Sequence, residues 1–85
     1  MEIYYDHLFK RQYKKLLIPV RELAKEKEIL FRKDPFDSRL KTHKLTGNQR
    51  EFWSFSISYS YRIIFRFASD DTVWFYQIGT HDIYD

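Results

Sequence analysis

The chain has 85 residues and a formal charge of +3, with no cysteine and only two glycines. That length fits a single domain spanning 1–85, and without cysteine neither a disulfide framework nor a thiolate metal site can form. No apolar run approaches the roughly 20 residues of a membrane span, and MEIYYDHLFKRQYKK has no apolar segment of signal-peptide length. The expectation is a soluble protein of a reducing cytoplasm, without a membrane partner.

In chain order, residues 2–5 (EIYY) suit a short strand, and a helical pattern begins at Asp6. Leu8, Tyr13, Leu16 and Leu17 fall roughly on one stripe, with lysines and arginines between them. Pro19 is costly inside a helix but fits its first turn, so a second helix is predicted near 19–33. Two helices joined this tightly form an antiparallel hairpin. Asp34-Pro35 ends the second helix, because the residue before proline avoids the α region. Residues 34–51 read as a polar connection with Gly47-Asn48 as its turn signal. Strands follow at 51–58, 61–67 and 72–78. The order β-α-α-β-β-β predicts an α+β domain, a helical hairpin packed on one face of an antiparallel sheet.

The stretch FWSFSISYSYRIIFRF alternates large apolar residues with serines. If 59–61 form the turn, Ser58 lies opposite Arg62, Ile57 opposite Ile63, Phe55 opposite Phe65 and Trp53 opposite Phe67. A tight turn near Ser69-Asp70 sets Phe65 opposite Trp74, Ile63 opposite Tyr76 and Arg62 opposite Gln77. The predicted buried face is then Trp53, Phe55, Ile57, Ile63, Phe65 and Trp74. The open face carries Ser54, Ser56, Ser58, Arg62, Ile64, Arg66 and Gln77, with the serines filling an exposed strand surface.

Basic residues cluster at Lys10, Arg11, Lys14 and Lys15, and again at Arg39, Lys41, His43 and Lys44. A cationic sheet face rimmed by basic loops suits a phosphate backbone, and a planar guanidinium can give a phosphate two hydrogen bonds. The same pattern also describes a plain solvated face. His7 starts a helix and reads as surface. His43 sits in the polar connection, where a neutral ring can accept a proton. His81 follows Gly79-Thr80 beyond the last strand, where a loop can present it over the polar face. The histidines lack metal-ligand spacing and have no carboxylate cluster beside them, so no metal is expected.

FRKDPFDSRLKTHKLTG, FWSFSISYSYRIIFRF and IGTHDIYD, occurring in that order, together resemble the RelE/ParE superfamily of toxins from bacterial type II toxin–antitoxin pairs. The closest likeness is to the YafQ and YoeB branches (RelE/StbE), over nearly the whole chain. The resemblance implies a RelE-like microbial ribonuclease fold, with the hairpin on a twisted antiparallel sheet. It implies a ribosome-dependent mRNA endonuclease that needs no metal or other cofactor, in which the RNA's own 2′-OH attacks the adjacent phosphate. Arg62 matches the family's phosphate-stabilising arginine, and His81 the proton-transferring histidine of its terminal GTH. His43 matches a functional histidine of the YafQ branch, and Tyr84 the C-terminal aromatic that supports catalysis or stacks on a base. Lys41 and Lys44 would hold the ribosomal or mRNA backbone, with Arg66 and Gln77 contributing from the open face. The YafQ branch carries a histidine at the position of Ser56, Asp-Trp at Ser60-Tyr61 and an arginine at Gln77. The implied partners are an acidic antitoxin, in a hetero-oligomer, and the ribosome with its mRNA, in the bacterial cytoplasm. The alternative is a non-nucleolytic member, either a ParE-like gyrase inhibitor or a chain that only binds its antitoxin.

Overall fold

Four phenylalanines set the architecture. In a computed structural model, which describes residues 1–47 and 51–80, Phe31 is fully buried. Its ring stacks on Phe55 at 4.7 Å and meets Phe65 and Phe75 edge-on at 5.0 and 5.5 Å. Phe31 comes from a helix and the other three from separate strands, so this contact is where the helical layer meets the sheet. Burying one such ring fully contributes about 1.5–3 kcal/mol.

The elements follow local chemistry. Strand β1 spans Glu2–Tyr5. Asp6 caps helix α1 (His7–Lys14), its carboxylate accepting from the Leu8 N–H at 3.0 Å. Helix α2 (Ile18–Lys33) carries Pro19 in its first turn, where the missing N–H costs nothing. It stops at Asp34, which is extended ahead of Pro35 (φ −160°, ψ 105°). The connection that follows is not wholly polar. A 3₁₀ turn at Ser38–Leu40 and strand β2 (His43–Lys44) lie within it, and it buries Leu40 and Leu45. Strands β3 (Trp53–Ser56), β4 (Arg62–Ser69) and β5 (Thr72–Gly79) complete the sheet.

The sheet order is β1-β5-β4-β3-β2. Strands β2 to β5 pair antiparallel, as expected. The first strand adds a parallel partner, pairing with β5 from Glu2↔Thr72 to Tyr5↔Phe75, so the whole sheet is mixed. No described helix is long and apolar enough to cross a membrane.

The β3–β4 register differs from the predicted one by two residues. Phe55 lies opposite Ile63 and Ser56 opposite Arg62, in place of Phe65 and Ser58. The connection is longer than three residues: the Ile57 N–H donates to the Tyr61 carbonyl at 2.9 Å, and Tyr59 at its tip is 94% exposed. A shift of two preserves the faces, so Phe55, Ile57, Ile63 and Phe65 are buried against the helices as predicted. Strand β5 departs further. The turn pairs Ser69 with Thr72, and the pairing with β4 then shifts by one between Phe67 and Ser69 and again between Ile64 and Phe65, two bulge-type irregularities. Ile63 therefore meets Ile78 and Phe65 meets Phe75, in place of Tyr76 and Trp74. Val73, Phe75 and Ile78 fill the core, and Trp74 lies on the opposite face, half-buried.

Candidate nucleic-acid interface

Arg62 opens β4 on the sheet face turned away from the helices. Its Nη1 donates to the Ser56 hydroxyl directly across from it on β3. Ser56 is 9% exposed and Ser54 is fully buried, so these serines do not form the exposed surface expected of them. They are small side chains packed beneath the outer face. The hydroxyl of Ser56 gives the guanidinium an acceptor without filling the space above it.

The register places the remaining candidates. One row crosses four strands as His43, Ser54, Ile64 and Gln77. The next row holds Ser56, Arg62 and Gly79. Gln77 thus lies diagonal to Arg62, with Ile64 directly opposite it, which corrects the predicted Arg62–Gln77 pair. His43 and Arg62 share the outer face, two strands apart and two residues apart along them. Strand geometry makes that about 12 Å between Cα atoms. Both side chains are long enough to reach one phosphate between them. His43 is exposed, and its Nδ1 lies 3.1 Å from the Lys41 carbonyl oxygen. A carbonyl only accepts, so Nδ1 carries the hydrogen, and in a neutral ring Nε2 is then the open acceptor.

The basic loop divides. Lys41 is exposed in a left-handed conformation (φ +53°) at the end of the 3₁₀ turn. Lys44 is exposed but pairs with Trp53, so it has the opposite parity from His43 and sits with Trp53 and Phe67 around an edge recess. Arg39 is held by Asp37, its Nε and Nη2 donating at 3.0 and 2.9 Å. That bidentate bond, with the Arg39 N–H, draws the Asp37 carboxyl down to about 2. Arg39 is therefore engaged within the loop, while Lys41 and Lys44 make no ion pair among the described residues.

Arg66 is half-buried opposite Trp74, with its guanidinium carbon 5.8 Å from the centroid of the Tyr76 ring. Its Nε is buried and has no hydrogen-bond partner among the described residues. Gln77 is half-buried on the same face. His81 and Tyr84 lie outside the described residues; in sequence, His81 is two positions past Gly79, the residue opposite Arg62. No group of three or more His, Cys, Asp or Glu residues able to hold a metal occurs among the described residues.

Sequence reasoning missed the Ser56 anchor, which the two-residue register difference concealed. It also missed the outer-face rings of Trp74 and Tyr76. The signal for those was present in VWFYQI, a run without clean alternation, where a bulge is a natural reading.

Several solved structures share this fold. The YoeB/ParE toxin from Agrobacterium tumefaciens superposes with a TM-score of 0.80 at 19% identity, covering 95% of this chain and 99% of that one. YafQ from E. coli strain BL21(DE3) gives 0.76 at 17% identity, covering 98% and 96%. The E. coli DinJ-YafQ toxin–antitoxin complex gives 0.74 at 19% identity, covering 96% and 93%. A comparison with curated protein sequences gives no match. Residues 1–84 match the family described as the bacterial toxin YafQ of type II toxin–antitoxin systems. The chain belongs to the YafQ family of bacterial type II toxins.

Proposed function

We propose that residues 1–85 act as one toxin domain that cuts mRNA on the ribosome by 2′-OH attack. The observation that carries this reading is Arg62, bonded to a buried serine hydroxyl and sharing an open sheet face with His43. In the reaction the 2′-oxygen forms a bond to the adjacent phosphorus and the bond from phosphorus to the 5′-oxygen breaks. The products are a 2′,3′-cyclic phosphate and a 5′-hydroxyl. His43 takes the 2′-OH proton at Nε2, and His81 gives one to the departing 5′-oxygen. Arg62 faces the negative charge that grows on the phosphorane. Tyr84 supports this chemistry or stacks on a base. Lys41, Lys44, Arg66 and Gln77 hold the backbone of the mRNA or of the ribosomal RNA. No metal or other cofactor enters this scheme.

The partner in the resting cell is an acidic antitoxin, bound in a hetero-oligomer in the bacterial cytoplasm. The support is the family itself, the likeness to a chain of the DinJ-YafQ complex and a formal charge of +3. The test is cleavage of mRNA on programmed ribosomes with mapping of the new 5′ ends. Arg62→Ala and His81→Ala should both lose cleavage while circular dichroism shows an intact fold. Full cleavage by both variants removes the catalytic assignment. No cleavage by the wild-type chain, together with inhibition of gyrase, supports the non-nucleolytic alternative.

A further inference from the structure

The outer face carries a second feature that proton transfer leaves unused. Four rings form a continuous track across it. Phe52 meets Tyr76 edge-on at 5.1 Å, Tyr76 lies 6.4 Å from Trp74, and Trp74 stacks on Tyr4 at 5.1 Å and 26°. Strand pairing aligns them: Tyr4 lies opposite Trp74, and Trp74 opposite Arg66. Tyr4 ends the track at the sheet edge, 45% exposed, with its hydroxyl donating to the Glu2 carboxylate at 2.8 Å.

These rings lie on the face away from the core, so the main hydrophobic cluster does not explain them. A cation accompanies them: Arg66 lies over Tyr76 and forms no ion pair among the described residues. Rings interleaved with an arginine form the combination that holds single-stranded nucleic acid, since every base has a π-face and every nucleotide a negative charge. Arg66 also shares a strand and a face with Arg62, four residues or about 13 Å away. One short strand of RNA can pass over both.

We propose that Tyr4, Trp74, Tyr76 and Phe52, with Arg66, form a stacking platform for the bases of single-stranded RNA beside the Arg62 site. This rests on the nuclease reading for the identity of the RNA as mRNA. The platform itself is a binding site and is tested without the ribosome. It gives the chain a means of gripping bases that lie beyond the scissile bond.

The test uses the isolated full chain and a fluorescently labelled, single-stranded oligoribonucleotide followed by anisotropy. A second probe has the same length and charge but abasic sugars. Loss of a base–aromatic stack weakens binding by about 5- to 150-fold. The abasic probe should bind more weakly by at least that range. Tyr4→Leu and Arg66→Gln should each weaken the base-containing probe and narrow its advantage over the abasic one. Trp74→Ala should do the same, with circular dichroism confirming its fold. The probe comparison on the unmodified chain needs no variant, so a poorly folded mutant leaves the result readable. Equal binding of the two probes overturns the platform, as does an absence of RNA binding or a face that engages only a protein partner. If base-dependent binding fails while Arg62-dependent cleavage persists, the nuclease reading survives alone. If base-dependent binding holds and ribosomal cleavage is absent, the platform survives alone.

Discussion

Replacing Ser56 by alanine removes a single oxygen from a nearly buried site and keeps the Cβ in place, so packing beneath the outer face changes little. What is lost is an acceptor for the Arg62 guanidinium. A hydrogen bond to a charged group contributes about 1.5–3 kcal/mol, which corresponds to roughly 10- to 150-fold. Ser56 is not the only contact of Arg62, so the expected loss sits near the lower end, about tenfold. That is smaller than the roughly 100- to 1,000-fold expected for Arg62→Ala, which removes the donor itself. The loss should fall mainly on kcat, because a misplaced guanidinium meets the growing phosphorane charge less well. The assay is single-turnover cleavage on programmed ribosomes, with urea unfolding to confirm stability. In an Arg62→Ala background, Ser56→Ala should cost nothing further. Wild-type cleavage by Ser56→Ala, or an equal loss in both backgrounds, would refute the claim that Ser56 acts by positioning Arg62.

Two further outcomes follow from the packing. Phe31→Ala should destabilise the fold by about 3–5 kcal/mol, because Phe31 is fully buried among Phe55, Phe65 and Phe75; urea unfolding measures it, and a loss below about 1 kcal/mol would mean the site collapses freely. Tyr5 donates to the Glu28 carboxylate, and burial first, then that bond, pushes its phenol from 10.0 up to about 12. The folded state thus holds this proton more tightly than the unfolded state, so the contribution is complete below pH 10.0 and is lost as pH rises toward about 12. Tyr5→Phe should remove the latest-titrating tyrosinate from an alkaline absorbance titration, and an unchanged titration curve would contradict the assignment.

The two faces of β3 and β4 were readable because alternation is a parity signal, and parity survives an error of two residues. The true connection from Ile57 to Tyr61 moved every partner along and left Arg62 and Ile63 on their predicted faces. Strand β5 was not readable in the same way. A one-residue irregularity reverses parity, so Trp74 exchanged places with Phe75 as the core residue. The parallel pairing of β1 had no local signal in four residues, since the partner strand lies about 70 positions away. At the site, resemblance singled out His43 and Arg62, but their shared face came only from the pairing of β2, which in sequence reads as part of a polar connection. Lys44 did not join that face, because its neighbour His43 already occupies the outward position of a two-residue strand.

The placement of Arg62 depends on the core more than on its own bonds. Its neighbour Ile63 is 1% exposed, and Phe65, three positions along, is fully buried. Slipping β4 by one residue to move Arg62 off the outer face would carry both off the helix-packed face and turn Arg62 and Arg66 into the core. At about 1.5–3 kcal/mol for each buried side chain, that slip costs several kcal/mol, a large part of what holds a domain of this size together. The hydrogen bond to Ser56 then refines a position that burial has already selected. On the nuclease reading proposed above, the guanidinium would thereby be held in place before RNA arrives, with little reorganisation left when charge develops on the phosphate. The same coupling explains how an 85-residue chain can support a site at all. Its core residues and its functional residues alternate along single strands, so burial on one face sets the geometry of the other.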